Sequence, residues 1–246
     1  MFWYAVGAFK IFQRVGKMKN TYLLVNFFTI IVPFLFSFHP KLKFYKTWKA
    51  FFPAVLVTAV FFLVWDAFFT TLGVWGFNKD YIIGVHLYNL PLEEILFFFC
   101  IPYACVFTYH CLNLWLKKIT NDKWTTPILI IAFTIAAAIH FYNAYTLFAF
   151  LTLSILLFIA KYVVRADWLM KFYLIYGILL FPFLIVNGIL TGTGLESPVV
   201  WYNESEIIGW RILTIPFEDI FYGMAMVLMN LLIYKALLKR GSLNYN

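Results

Sequence analysis

The chain has little charge for its length. Only 12% of its 246 residues are Asp, Glu, Lys or Arg, whereas 64% are apolar. A water-soluble domain of this size cannot bury so much apolar surface in its interior. The shortage of charge therefore excludes a soluble protein and predicts a polytopic membrane protein.

Motifs typical of cofactor and metal sites are missing as well. Cys100, Cys105 and Cys111 lie in one apolar run without CxxC spacing, which favours buried thiols over disulfides or metal ligands. No GxGxxG motif follows a strand pattern, and there is no Asp-rich cluster that would bind a diphosphate through magnesium. The run from Ile220 to Tyr234 also lacks the lysine that a retinal protein needs. We therefore predict neither a cofactor nor a metal site.

Seven apolar runs are each long enough, at about 20 residues, to cross the hydrocarbon core of a bilayer. They lie at residues 21–38, 51–73, 91–116, 125–141, 144–160, 170–190 and 213–235. The boundary between the fourth and fifth runs is the least defined, because their connection is very short. The runs predict an all-α integral membrane protein with seven transmembrane helices.

The basic residues, which give a net charge of +8, cluster after the first, third, fifth and seventh runs. The loops on the opposite side contain only Lys79 and Arg211. This is the pattern of the positive-inside rule and not that of a nucleic-acid-binding surface. It predicts a multi-pass protein of the cell (inner) membrane, with the amino terminus outside and the carboxyl terminus in the cytoplasm, and no nucleic-acid partner.

Residues 1–17 depart from this rule, because Lys10, Arg14 and Lys17 would lie on the cation-poor side. We interpret the segment as an upstream extension before a more ordinary start at Met18. The alternative is an amphipathic segment that lies in the membrane interface.

The sequence repeats itself at an offset of 125 residues. The matches are Asn78 with Asn203, Ile82 to Gly84 with Ile207 to Gly209, Pro91 with Pro216, Glu93 with Glu218, Glu94 with Asp219, Ile95 with Ile220 and Tyr109 with Tyr234. Each copy holds three predicted helices, and an odd number would invert the second copy unless a further helix separated the two. We therefore predict two parallel three-helix repeats, 18–120 and 143–246, joined by a linking helix at 121–142. This 3+1+3 arrangement has a pseudo-twofold axis along the membrane normal.

Two pairs of acids, in "PLEE" and "PFED", lie at equivalent helix starts. A proline at the first helical position and one acid in the first turn are explained by helix geometry and the helix dipole. Two adjacent acids on both helices are not, because a like-charged pair beside hydrocarbon is costly. Two carboxyls in an apolar site cannot both ionise easily, so one is expected to protonate a weakly basic substrate and the other to accept a proton later. The predicted catalytic residues are Glu93, Glu94, Glu218, Asp219 and, from the end of the second run, Asp66.

Aromatic and polar residues surround these acids in the sequence. Aromatic faces stabilise carbocations without acting as nucleophiles, although single Trp and Tyr residues are equally typical of the interfacial belt. We expect Arg211 to pair with Glu218 or Asp219, and Thr191 to replace Asp66 in the second copy. Asn187 also reads as a helix–helix hydrogen-bonding residue. The predicted substrate-binding residues are Trp65, Trp75, Phe77, Asn78, Tyr88, Asn187, Trp201, Tyr202, Asn203, Trp210 and Arg211.

The "PLEE" and "PFED" motifs, the "GVWGFN" and "VVWYNE" loops and the duplicated seven-helix layout resemble the lycopene cyclase domain family of the heterodimeric type. That domain occurs as two small subunits in some bacteria, as a fused chain in other bacteria and archaea, and as the cyclase half of fungal bifunctional enzymes. The resemblance covers about Met18 to Arg240 and is similar to the fused form.

The resemblance implies a redox-neutral cyclisation of the linear ψ ends of lycopene to β-ionone rings, without bound flavin. Protonation at C2 of the end group gives a cation at C1, the C5–C6 double bond attacks it, and loss of the C6 proton completes the ring. Glu94 or Glu218 is the expected donor. The implied partners are lycopene or another linear carotenoid, the lipid membrane and other enzymes of the carotenoid pathway. A Phe-rich tunnel open to the bilayer is expected to admit the substrate laterally.

Two other functional classes fit part of the pattern. Parallel 3+1+3 repeats also occur in small-solute transporters, but these need polar groups near the bilayer midplane, whereas the acids here gather at one face. A membrane scaffold in which the acids only cap helices is the third reading.

Overall fold

The computed structural model describes residues 18–117 and 122–243, so the predicted extension at 1–17 lies outside the described residues. Within the described part, seven α-helices account for most of the chain. Each overlaps one of the predicted apolar runs, so the all-α class is confirmed. The helices are α1 (Thr21–Phe36), α2 (Trp48–Leu72), α3 (Leu92–Trp115), α4 (Thr125–Ile139), α5 (Ala144–Phe158), α6 (Leu169–Leu190) and α7 (Phe217–Leu243). Short helical turns lie at Phe44–Thr47, Ile159–Val163 and Glu204–Glu206.

Five of the seven helices are long and apolar enough to cross a membrane, judged by length and composition: α2, α3, α5, α6 and α7. The candidate spans of α2 and α5 include the adjoining helical turn, and that of α7 ends at Arg240. The apolar helices α1 and α4 are shorter, with 16 and 15 residues. At 1.5 Å per residue, a helix of this length covers less than the roughly 30 Å of a hydrocarbon core. That all seven helices cross the bilayer therefore stays a prediction.

Short antiparallel strand pairs connect the helices at the end where α3 and α7 begin. β2 (His86–Leu87) and β3 (Leu90–Pro91) form one hairpin, and β5 (Arg211–Ile212) and β6 (Ile215–Pro216) form another. Each hairpin runs directly into the helix that carries an acid pair. The Leu92 amide donates to the Val85 carbonyl, and the Phe217 amide donates to the Trp210 carbonyl, both at 2.9 Å. The backbone thus enters α3 and α7 along the same path.

The third strand pair joins the two halves of the chain. β1 (Trp75–Phe77) pairs with β4 (Val200–Tyr202), with Gly76 opposite Trp201. The register is the one expected for a local twofold relation at this pair: at the offset of 125, Gly76 faces its own equivalent, Trp75 faces the equivalent of Phe77, and Phe77 faces the equivalent of Trp75. Gly76 has no side chain to obstruct this contact, whereas a Cβ there would clash with the Trp201 indole.

The offset between the halves is not constant along the helices. α1 and α5 begin at Thr21 and Ala144, and α2 and α6 begin at Trp48 and Leu169. Their first residues are thus 123 and 121 positions apart, against 125 for the hairpins and for α3 and α7. The expectation that Thr191 takes the place of Asp66 is therefore wrong. Asn187 lies as far along α6 as Asp66 lies along α2.

α7 is the central helix of the packing. It contacts α2, α3 and α5, while α1 packs on α3 and α4 packs on α5. Phe62 of α2 and Leu228 of α7 are fully buried in this core. Because α3 and α7 touch and begin at the same end, their acid pairs lie close together.

Candidate active site

The first acid of each pair holds the loop that precedes its helix. Glu93 and Glu218 are fully buried. The Glu93 Oε1 atom accepts the Ile83 amide at 2.7 Å, and the Glu218 Oε1 atom accepts the Ile208 amide at 2.6 Å. The Thr146 hydroxyl also donates to Glu218 at 2.6 Å. These carboxyls are used by backbone amides, so their structural role is to fix the helix entry.

The second acid of each pair turns to the interior and meets a tyrosine. The Tyr22 hydroxyl donates to Glu94 Oε2 at 2.5 Å, and the Tyr145 hydroxyl donates to Asp219 Oδ1 at 2.5 Å. Glu94 and Asp219 keep 7% and 4% of their surface exposed, against none for Glu93 and Glu218. The second acids are therefore the ones with surface left for a substrate.

Asp219 has more donors than Glu94. Asn187 donates its amide to Asp219 Oδ2 at 2.6 Å, and the Tyr202 hydroxyl donates to the same oxygen at 3.1 Å. Tyr202 lies in β4, outside the helices. Burial, together with the negative charges of Asp219 and Glu94, holds the pKa of its phenol well above the usual range. Tyr202 therefore keeps its proton and stays a donor.

A third carboxyl completes the group. Asp66 of α2 is buried and accepts the indole N–H of Trp75 from β1. It interacts electrostatically with Glu94, which in turn interacts with Asp219. We call Asp66, Glu94 and Asp219 the acid cluster.

Aromatic rings form the walls around the acid cluster. Trp75 packs edge-on against Tyr145 at 5.1 Å between ring centroids, and Tyr145 stacks on Tyr202 at 5.7 Å. Tyr222 of α7 packs against Trp65 at 5.0 Å and against Tyr145 at 6.0 Å. Tyr222 interacts electrostatically with all three carboxyls. These rings surround the acid cluster, and we call them together the aromatic chamber: Trp65, Trp75, Tyr145, Tyr202 and Tyr222.

The remaining predicted substrate-binding residues lie elsewhere. Tyr88 is 81% exposed and Trp210 is 70% exposed, both on the outer side of the hairpins. Trp201 covers Gly76 and Phe77 lies half-buried on β1, so both belong to the strand pair that joins the halves.

Asn78 and Asn203, two of the predicted substrate-binding residues, accept hydrogen bonds that shape their own loops. Asn78 accepts the Asp80 amide at 3.0 Å, and Asn203 accepts the Ser205 amide at 3.1 Å.

The predicted ion pair between Arg211 and Glu218 or Asp219 is wrong. Arg211 forms no ion pair with either acid of the "PFED" motif. The hairpin places Arg211 opposite Pro216, next to the start of α7, but its guanidinium turns to the hairpin loop and the preceding segment, where it donates to the Thr214 carbonyl at 2.7 Å and to Glu204 at 2.5 Å.

Three tyrosines of the site, Tyr22, Tyr145 and Tyr222, are not among the residues predicted from the sequence. Tyr22 and Tyr145 are equivalent only at the offset of 123 that holds for α1 and α5, so an alignment at 125 separates them. Tyr222 follows Asp219 by three residues and therefore shares its helix face, a spacing that could have been read. The three cysteines are free thiols, as predicted. Among the described residues, no group of His, Cys, Asp and Glu is arranged to hold a metal ion.

Comparison with known proteins gives one positive result. A family model described as lycopene cyclase matches residues 19–112 and 142–237. The first segment contains α1, α2 and most of α3, the second contains α5 and α6 and most of α7, and α4 lies between them. No curated protein and no solved structure matches the chain. Since the model covers well over half of the residues, the chain belongs to the lycopene cyclase family.

Proposed function

We propose that the chain is a membrane lycopene β-cyclase, an isomerase that converts the linear ψ ends of lycopene to the β-ionone rings of β-carotene by way of γ-carotene. Membership of the lycopene cyclase family supports the substrate class. The observation that carries the proposed chemistry is the acid cluster, in which three buried carboxyls interact inside an aromatic chamber. Such a site supplies a proton donor, a proton acceptor and stabilisation of a cation, with no redox step.

The reaction needs only proton transfers and one new carbon–carbon bond. A carboxylic acid adds its proton to C2 of the end group, which leaves the positive charge at the tertiary carbon C1. The electron pair of the C5–C6 double bond then forms the C1–C6 bond and moves the charge to C5. Loss of the C6 proton to a carboxylate gives the C5–C6 double bond of the β ring. One proton enters and one leaves, so the isomerisation is balanced.

Within this scheme, Glu94 is the proton donor and Asp219 the acceptor. Asp219 receives hydrogen bonds from Tyr145, Asn187 and Tyr202, and donors of this kind stabilise a carboxylate. Glu94 receives one side-chain hydrogen bond from the described residues, that of Tyr22. The acid with fewer donors loses less when it takes up a proton, so it is suited to the role of general acid. Asp66 interacts electrostatically with Glu94, so ionisation of both carboxyls at the same time is costly.

The aromatic walls have a separate role. The cation formed at C1 and C5 is a hydrocarbon cation, and electron-rich ring faces stabilise it without forming a bond. Trp65, Trp75 and Tyr222 supply these faces around the acid cluster. They also exclude water, which would otherwise add to the cation.

The architecture proposed for this enzyme is the 3+1+3 arrangement of two parallel repeats around one shared site. The two segments matched by the family model support it, as do the hairpins that recur 125 residues apart. Both repeats contribute acids and tyrosines to a single chamber. In the membrane, the chamber end faces away from the cytoplasm, and the substrate enters laterally from the bilayer through a Phe-rich passage. Contact with other enzymes of the carotenoid pathway would shorten that transfer.

Expression of the chain in bacterial cells that accumulate lycopene tests the function. Conversion of the red lycopene to cyclic carotenes, identified by chromatography and absorption spectra, is the expected result. A Glu94→Gln variant that reaches the membrane in equal amount serves as the matched control. Unchanged lycopene in cells with confirmed membrane expression of the unaltered chain would overturn the proposal.

A further inference from the structure

The turns of the two hairpins carry large apolar side chains in a backbone conformation that favours glycine. Tyr88 and Leu213 have φ values of 58° and 59°, and each is the first of two turn residues. A two-residue turn with positive φ only at this position is dominated by glycine, because a side chain is strained there. The chain places a tyrosine and a leucine at the two sites, 81% and 75% exposed. Folding alone does not account for this choice.

The residues beside the turns are apolar and exposed too. Val85 and Leu87 project from the first hairpin, and Trp210 and Ile212 project from the second. Each hairpin therefore ends in a largely apolar tip, in which His86 or Arg211 is the one basic residue, and the two tips recur at the same offset as the acids. We call them the hairpin tips, residues 85–88 and 210–213.

The first tip is continuous with an exposed apolar surface of α2. Asn89 donates its amide to the Ala67 carbonyl at 2.8 Å and to the Thr71 hydroxyl at 3.0 Å, which ties the hairpin to the last turns of α2. On this part of α2, Val64, Phe68 and Leu72 are exposed at helical spacing. α2 belongs to a span that is long and apolar enough to cross a membrane. The hairpin tip therefore lies beside the end of an exposed apolar stripe on a candidate membrane span.

The second tip is attached in the equivalent way. The Thr214 hydroxyl bonds to the hydroxyls of Thr191 and Thr193, at 2.8 and 2.5 Å, at the end of α6. α6 exposes Phe181 nearer its middle, seven residues before Gly188, whose carbonyl also accepts the Thr214 hydroxyl. Residues seven apart share a helix face, so this hairpin also lies above an apolar surface.

We infer that the two hairpin tips insert into the membrane–water interface, at the boundary between phospholipid headgroups and acyl chains. Tyr and Trp are enriched at that level. Burial of the apolar side chains of the tips there offsets the free energy that the strained turn conformations cost. The outward backbone groups of the short strands need water or headgroups as partners, which excludes a position in the hydrocarbon core. Since each tip stands five residues before an acid pair, the tips fix the depth of the acid cluster in the bilayer.

Depth-dependent fluorescence quenching tests this inference. Single cysteines at Tyr88→Cys and Leu213→Cys, in a full-length chain whose three native cysteines are replaced, carry an environment-sensitive label. The labelled protein is placed in phosphatidylcholine nanodiscs that contain lipids with a nitroxide either near the headgroup or near the chain end. Lys79→Cys, in an exposed charged loop, is the water control, and Phe68→Cys on α2 is the lipid control.

The expected result is that the headgroup-proximal nitroxide quenches the tip labels by about twofold, more than the chain-end nitroxide does, as for groups buried 5–10 Å in the interface. Labels at Leu87→Cys and Ile212→Cys, which avoid the strained positions, should behave in the same way. The inference is overturned if the tip labels resemble the Lys79 label, since the tips then lie in water. It is equally overturned if they are quenched best at the chain end, as expected for Phe68. The test needs no catalytic activity, so its outcome is independent of the proposed function.

Discussion

Glu93 and Glu218 make the same hydrogen bond in the two halves of the chain: each Oε1 atom accepts a backbone amide ten residues upstream, at 2.7 and 2.6 Å. This relationship separates the first acid of each pair from the second. A glutamine retains the acceptor oxygen, whereas an alanine leaves a partly buried amide without this partner.

We therefore expect Glu93→Gln to keep cyclisation within about threefold of the unaltered chain, because the hydrogen bond is retained. Glu93→Ala should lower the free energy of unfolding by about 0.5–1.5 kcal/mol, the net contribution of one hydrogen bond, because the Ile83 amide is only partly buried. Pigment analysis measures the first effect and thermal unfolding in detergent the second. Loss of cyclisation in Glu93→Gln at an unchanged Tm would place Glu93 in the chemistry.

Replacement of Glu94 and replacement of Asp219 should impair cyclisation in different ways. Glu94→Gln removes the proton donor, so lycopene should stay unchanged and the rate should fall about a hundredfold or more. Asp219→Asn leaves the donor but removes the acceptor, so cations should lose a different proton and give rings with a shifted double bond. Chromatography with mass spectrometry distinguishes these products. Identical product patterns from both variants would contradict the assignment of the two roles.

The sequence predicted the helices and the acid pairs but not this division of labour. Apolar runs and proline-acid helix starts are local patterns, and the structure has helices at the positions where these patterns occur. Adjacent residues on a helix point about 100° apart, so the acid that faces the loop and the one that faces the chamber depend on the helix packing. Tyr22 and Tyr145 were hidden for a similar reason, because the connections between helices change the offset from 125 to 123.

The contributions of Asp66 and Trp75 to stability should be coupled. Asp66 accepts the Trp75 indole N–H, and its Oδ2 atom is buried with no hydrogen-bond partner among the described residues. Trp75→Phe removes the donor and should cost about 1–3 kcal/mol of stability, while Asp66→Asn should reduce the cyclisation rate. In the double variant the stability losses should not add, since the shared interaction is lost once. Thermal unfolding of the three variants measures this coupling, and full additivity would contradict it.

Arg211 and Glu204 offer a contrasting test, because sequence reasoning had placed Arg211 beside the acids. The pair is at the surface, with the Glu204 side chain 67% exposed. Exposed ion pairs contribute about 0–1 kcal/mol, so Arg211→Ala should change the Tm little and leave cyclisation intact. A large loss of activity in Arg211→Ala, measured at equal membrane expression, would return this residue to the site.

Tyr222 separates the contribution of an aromatic face from that of a hydroxyl. Its ring packs against Trp65 and Phe62 at 5.0 and 5.1 Å, and it lies within electrostatic reach of the whole acid cluster. If the ring stabilises the cation, Tyr222→Phe should keep most of the activity. Tyr222→Leu should lower the rate about tenfold, because a desolvated cation–π contact is worth about 1–2 kcal/mol.

The control for this loss is Phe221→Leu, one position earlier on the same helix. Phe221 packs on Phe133 and Phe150, away from the acids, so its replacement removes an aromatic core contact without touching the chamber. Rates per unit of folded protein, compared between the two leucine variants, isolate the effect of the ring at position 222. Equal losses would mean that Tyr222 serves packing alone. A Tyr222→Phe variant as impaired as Tyr222→Leu would instead show that the hydroxyl, and not the ring, supports the proton transfers.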